Sequence, residues 1–184
     1  MSEQDVREYA KAKGLHPQTL NRWLLWAEGD RNGLFAIAMS LKIGENHLRD
    51  FMDWLEEIAL RDGVGIRTIL EAGPINEALG NPRLGRADKI KRIKEQLRRL
   101  RFPRLSRTED AIRARIRDLK LQPEIRLFVP PGLEGGTVKV EFTAATQVEF
   151  KQAVRRLAEA EDTESMREIF SLLKGESFAL NPQC

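Results

Sequence analysis

The stretch VREYAKAKGLHPQTLNRWLLWA, Val6 to Ala27, limits what this chain can fold into more than any other. Its apolar residues form two short helical sets with a glycine between them. Val6, Tyr9 and Ala10 share one face of a first helix. Leu20, Trp23, Leu24 and Ala27 recur at i, i+3, i+4 and i+7 in a second, which the pattern carries from Pro17 to Trp26. Gly14 supplies a residue that readily adopts positive φ at the turn, and Leu15 fills the angle between the helices. Pro17 suits the first position of a helix, where its missing N–H would lack a partner anyway. Small Ala10 lets the second helix cross closely. The pattern is that of a helix-turn-helix. The other face of the second helix carries Gln18, Thr19, Asn21 and Arg22 near its start, the end that enters a DNA major groove in such motifs. Side-chain amides pair bidentately with adenine and a guanidinium with guanine, so this face has base-reading chemistry. An ordinary αα-hairpin with a wet outer face has the same pattern, and the stretch alone leaves both readings open.

The charge distribution points the same way. The net charge is only +3, but Arg86 to Lys120 holds fourteen Lys/Arg against five acids, a local +9 that leaves −6 for the rest. A basic segment in an otherwise acidic chain implies a polyanionic partner. With 41% hydrophobic residues there is material for a core, and no apolar run approaches a membrane span or the centre of a signal peptide. The single cysteine, Cys184, allows no intrachain disulfide, so a cytoplasmic location is expected, nucleoid-associated if the polyanionic partner is DNA.

Further along, Glu28 to Asn32 reads as a polar break, Leu34 to Lys42 as a short helix stopped near Gly44, and about Glu45 to Arg61 as a stronger one. Shorter helical pieces over Val64 to Ala72 and Ile75 to Leu79 follow. Arg86 to Arg101 has a narrow seam of Ile90, Ile93, Leu97 and Leu100 under a basic surface, which either meets solvent or contacts phosphates. Arg101 to Arg107 reads as a linker. The expected domains are therefore 1–105, all helical, and 106–184.

In the second domain a helix over Thr108 to Leu121, capped by Ser106 or Thr108, gives way to a period of two. Ile125, Leu127 and Val129, then Val138, Val140 and Phe142, alternate with polar or solvent-side residues around a Pro- and Gly-rich loop, predicting a hairpin. Helices from about Gln147 to Ala160 (Phe150, Val154 and Leu157 inward) and Glu164 to Lys174 (Met166, Ile169, Phe170 and Leu173) follow, with Glu176 to Cys184 frayed. The fold class is mainly α with a small α+β C-terminal domain of αββα type. A lone hairpin leaves both edges unpaired and closes a small core, so a symmetric homodimer through it is expected. The competing arrangement has the third helix covering the sheet in a monomer.

Two parts of the chain resemble one family. VREYAKAKGLHPQTLNRWLLW followed by ENHLRDFMDWLEEIA is similar to the central DNA-binding domain of ParB-type partition proteins, and Asn46-His47-Leu48-Arg49 sits where that family has a Gly-His-Ala-Arg-like stretch, with His47 and Arg49 matching. TEDAIRARIRDLKLQPEIRLFVPPGLEGGTVKVEFTAATQVEFKQAVRRLAE resembles its C-terminal dimerisation domain. The helix-turn-helix starts within ten residues of Met1, so the family's N-terminal nucleotide-binding domain, and with it CTP chemistry and stimulation of a partner ATPase, is not expected. Gly63 to Ser106 has no matching counterpart.

The resemblance and the residue patterns imply sequence-specific binding of double-stranded DNA by a homodimer, in partition or transcription regulation. The expected contacts are Gln18, Thr19, Asn21 and Arg22 at base edges, with His16, a turn or helix-start residue, among the DNA-binding set, and His47, Arg49, Lys89, Arg92 and Arg99 at phosphates. The alternatives are a protein-interaction adaptor or an RNA-binding protein using the basic helix. Neither catalysis, a metal, a cofactor nor a membrane is expected: the two histidines lack partners at ligand spacing, and GLEGGT is no phosphate loop.

Overall fold

The computed structural model describes residues 2–175 and divides the chain into two compact units, Met1–Phe102 and Pro103–Cys184. It is mainly helical with one small antiparallel sheet in the second unit.

The first unit consists of α1 (Glu3–Lys13), α2 (Pro17–Leu24), α3 (Glu28–Leu41), α4 (Glu45–Asp62), α5 (Ile66–Leu70), α6 (Gly73–Gly80) and α7 (Arg86–Arg101). Helix α1 begins in a capping box: the Asp5 N–H donates to Ser2 Oγ and the Ser2 N–H to Asp5 Oδ2, satisfying two orphan donors at once. It ends at Gly14, whose φ of 63° is a conformation open to glycine at little cost, and the Leu15 N–H closes the turn on Ala10 O at 2.9 Å.

Helix α2 is shorter than the pattern predicts. Leu25 is its C-cap, and Ala27, expected to face inward, is exposed because it caps the next helix. The expected polar break at Glu28 to Asn32 is helical. Glu28 and Asp30 sit in the first turn of α3, where acids complement the helix dipole. Gly33 packs closely: a Cβ there would stand 3.3 Å from Leu70 Cδ1 on α5, so that side chain would have to shift by a few tenths of an ångström. The helix ends at Lys42 in the left-handed region, φ 50°, while Gly44 caps the start of α4.

One core joins these helices. Trp23 of α2 is fully buried and forms an aromatic cluster with Tyr9 and Phe35, ring centroids 5.9–6.3 Å apart. The Tyr9 hydroxyl lies 2.9 Å from Ala38 O and 2.6 Å from Ile43 O, tying α1 to both ends of the α3–α4 corner. Leu48, Phe51, Met52, Leu55 and Ile58 of α4 face the seam Ile90, Ile93 and Leu97 of α7 in the same cluster. At the rim, Lys94 pairs with Asp50 and Arg101 with Glu57, and Arg61 donates to the carbonyls of Leu100 and Arg101 at the end of α7.

The second unit consists of α8 (Pro103–Asp118), β1 (Ile125–Phe128), β2 (Lys139–Phe142), α9 (Gln147–Glu161) and α10 (Glu164–Leu173). The expected linker at Arg101 to Arg107 is largely helix. Phe102 alone leaves the helical region (φ −121°, ψ 65°), and α8 restarts at Pro103, a residue suited to a first helical position. Ser106 is buried inside α8 and the Thr108 hydroxyl donates to Arg104 O, so neither caps the helix.

The strands pair antiparallel with Ile125 opposite Phe142 and Leu127 opposite Val140. Opposed residues share a face, so these four apolar side chains form one side of the sheet and Arg126, Glu141, Phe128 and Lys139 the other. Helix α9 lies on the apolar side, Phe142 and Phe150 having ring centroids 5.7 Å apart, and Arg156 holds it to Glu124 and to Lys120 O. The buried cluster is small: Leu121, Ile125, Leu127, Ala153 and Ala160. Of the three residues expected inward on α9, Leu157 packs on that cluster, whereas Phe150 and Val154 are 52% and 45% exposed. The reason is width, since two strands about 4.8 Å apart are narrower than the helix laid on them. Helix α10 packs chiefly along α8, with Ile169 buried and Phe170 exposed. The expectation of a frayed Glu176 to Cys184 falls outside the described residues.

Candidate nucleic-acid interface

Helix α2 is positioned from two sides. Trp23 and the partly buried Leu20 and Leu24 fix its inner face to the core. The side toward α4 is held by carboxylates. Arg22 donates from Nε and Nη2 to Glu56 at 3.0 and 2.7 Å, and from Nη1 to Asp53 at 2.6 Å, while the Trp26 indole N–H donates to Glu56 at 2.7 Å. The Arg22 guanidinium is held well above its ordinary pKa, first by the hydrogen bonds to Glu56 and then by Asp53 and the two negative charges. Near the start of α2 the Thr19 hydroxyl donates to Glu45 Oε1 at 2.6 Å, and Glu45 Oε2 accepts the His16 N–H at 3.1 Å. Glu45, Asp53 and Glu56 are eight and three residues apart on α4, which brings all three to one side of that helix.

These contacts change the assignment of the groove-facing residues. Thr19 is 7% exposed and bound to Glu45, and Arg22 is committed to two carboxylates, so neither side chain is available to a base edge as the sequence leads one to expect. Guanine recognition by Arg22 would take the cation away from Asp53 and leave Glu56 with the Trp26 indole N–H alone. Gln18 and Asn21 are exposed, and neither amide has a partner among the described residues. Three places apart, they share one side of α2. Leu25 lies four residues beyond Asn21 on the same side and is 87% exposed. The apolar spacing hid it, because Leu25 falls next to Leu24 and looks like core.

His16, Gln18, Thr19, Arg22, Glu45 and Arg49 line one open cleft of about 520 Å³ between the starts of α2 and α4. Five of the ten expected contacts therefore meet in one place. His16 serves as N-cap: its Nδ1 accepts the Gln18 N–H at 3.2 Å, so a neutral imidazole carries its proton on Nε2. Arg49 is exposed and forms no ion pair among the described residues. His47, two residues earlier, is exposed but about 200° around α4 from Arg49 and does not line the cleft.

On α7 the basic residues serve two ends. Lys94 and Arg101 bind acids of α4, and Lys89 donates to Leu79 O at the end of α6, so these three hold the helix in place. Lys89 is thus structural rather than free for phosphate. Arg86, Lys91 and Arg92 are exposed and form no ion pair among the described residues, while Arg99 is half-buried. No group of three His, Cys, Asp or Glu side chains among the described residues could hold a metal, and none of the described helices is long and apolar enough to cross a membrane. Compared with known proteins, the chain matches no family model, no curated protein and no solved structure.

Proposed function

We propose that the chain binds double-stranded DNA through the first unit, with the exposed edge of α2 in the major groove, and that two copies act together through the second unit. The reading rests above all on one observation. The start of a rigidly mounted short helix opens onto a cleft with unpaired amide and guanidinium groups, Gln18 and Arg49, at its walls. Gln18 and Asn21 read base edges, Arg49 and the His16 Nε2–H contact the backbone, and Arg86, Lys91 and Arg92 add a phosphate-facing surface. Arg22, Asp53 and Glu56 form the brace that aims the helix. This agrees with the resemblance to ParB-type proteins and with a role in partition or transcription regulation.

Pairing of two copies is supported by the apolar side of the sheet. Val140, Phe150 and Val154 are 41%, 52% and 45% exposed around the half-buried Phe142, and the two-stranded sheet keeps open edges. A second copy that pairs its hairpin along an open edge and packs on these side chains closes a core that one copy leaves thin.

The test is a fluorescence anisotropy titration of the whole chain against random duplex DNA, structured RNA and single strands at two salt concentrations. Duplex is expected to bind most tightly, with affinity falling as salt rises. Absence of duplex binding at low salt overturns the reading.

A further inference from the structure

The groove-facing edge of α2 has a narrower chemistry than its sequence implies. With Thr19 and Arg22 turned to carboxylates, the side chains left exposed along one side of the helix are Gln18, Asn21 and Leu25. They stand at i, i+3 and i+7. At 1.5 Å per residue the stripe is about 10 Å long, or roughly three base-pair steps of 3.4 Å. Two planar amides and one aliphatic tip lie along it. An amide offers one donor and one acceptor in a plane, matching adenine N6 and N7, and an aliphatic group packs on the thymine methyl. Nothing on the stripe matches the two acceptors of guanine, O6 and N7, as a guanidinium does. An 87% exposed leucine at the end of the same stripe has no packing role in the unit, and a methyl-bearing groove accounts for it.

We infer that the sequence read by α2 is a short run of A·T pairs, with adenines against Gln18 and Asn21 and a thymine methyl against Leu25. The inference rests on the duplex-binding reading and deepens it. Arg22 is a positioning residue in this scheme: it aims the stripe and does not read a base.

The experiment selects duplexes bound by the whole chain from a random pool, then modifies the selected site one base at a time. The expected consensus contains about three consecutive A·T pairs. Replacing adenine by 7-deazaadenine, which lacks N7, lowers affinity roughly tenfold at two positions, and that sensitivity disappears at one of them in Gln18→Ala and at the other in Asn21→Ala. Replacing thymine by uracil, which lacks only the methyl, lowers affinity about fourfold at one position, and Leu25→Ala removes the difference. These three side chains are exposed, so the variants are expected to fold as the parent does, checked by an unchanged melting temperature. A selected core of G·C pairs, or a core indifferent to both modifications, overturns the inference while leaving duplex binding standing. No enrichment and no binding of any duplex overturns duplex binding itself, and the inference with it.

Discussion

The two units are of similar chain length but differ in how they satisfy their apolar surface. In the first, seven helices close around one continuous cluster from Val6 to Leu97 that includes a tryptophan and three further aromatics, Tyr9, Phe35 and Phe51. In the second, the buried cluster has five members, two of them alanines, and the aromatic side chains Phe128, Phe150 and Phe170 remain at the surface. The lesson concerns geometry more than composition. A bundle surrounds its apolar stripes with other helices, whereas a hairpin with one helix on it has a sheet too narrow to take that helix's whole stripe. The first unit closes its apolar surface within one copy; the second leaves part of its own exposed.

That contrast can be broken at several points. The largest effect is expected from Trp23→Ala, which should cost the first unit about 3–5 kcal/mol by leaving a cavity between Tyr9 and Phe35. Urea unfolding followed by the fluorescence of Trp26 and Trp54 measures it, and a cost under about 1 kcal/mol would show that the cluster is not what holds the bundle. Next is Phe150→Asp, which should convert dimers to monomers in light scattering, weakening association by about 3 kcal/mol, or ~100-fold, while barely changing the melting of the single copy. A fully monomeric parent chain would remove the contrast at its root.

Arg22→Ala ranks third. It leaves Glu56 and Asp53 without their cation, but the groups are more than a third exposed and solvent screens them, so the expected cost is about 1 kcal/mol by thermal denaturation. Binding to every duplex should weaken alike, with base preference kept; a change of preferred base would make Arg22 a reader after all. Lys42→Gly should act in the opposite direction, stabilising the first unit by about 0.5–1 kcal/mol, because Lys42 sits at φ 50° where glycine is unstrained. The smallest effect is in acid. The capping-box hydrogen bonds from Ser2 hold the Asp5 carboxyl below its ordinary value of 3.8, so its contribution is complete above that value and is lost as pH falls through the lower, folded one. An NMR titration of the Ser2 and Asp5 amides should show the first turn of α1 loosening only there; loosening near neutral pH would contradict it.

Much of the framework was legible in the sequence, and for local reasons. Val6, Tyr9, Ala10 and Trp23 face inward as their spacing predicts, and the helices at Glu45 and Arg86 begin as expected because glycines precede both. Strand β1 keeps its alternation of buried and exposed residues, whereas β2 does not, since Val140 is exposed and Phe142 only half-buried. What misled was local chemistry overruled from a distance. EGDRNG reads as a break, but it forms the first turns of α3, with Gly33 packed close to Leu70, and Pro103 starts a helix where a linker was expected. The site was less legible still. Thr19 and Glu45 are 26 residues apart, and Arg22 and Glu56 are 34 apart, so nothing near either residue announces its partner. The one signal available was the spacing of Glu45, Asp53 and Glu56, an acidic stripe on α4 that needed cations from elsewhere.

The brace on α2 also bears on how salt should be read in this protein. Eight residues are too few for a helix to hold itself, so its orientation depends on the core below and on carboxylates at its side. The Arg22 pairs are partly open to solvent, so added ions screen them, as they would screen the proposed phosphate contacts. If the proposed reading holds, raising ionic strength would loosen the mounting and the grip on DNA together, and the slope of affinity against salt would count more charges than the DNA itself touches.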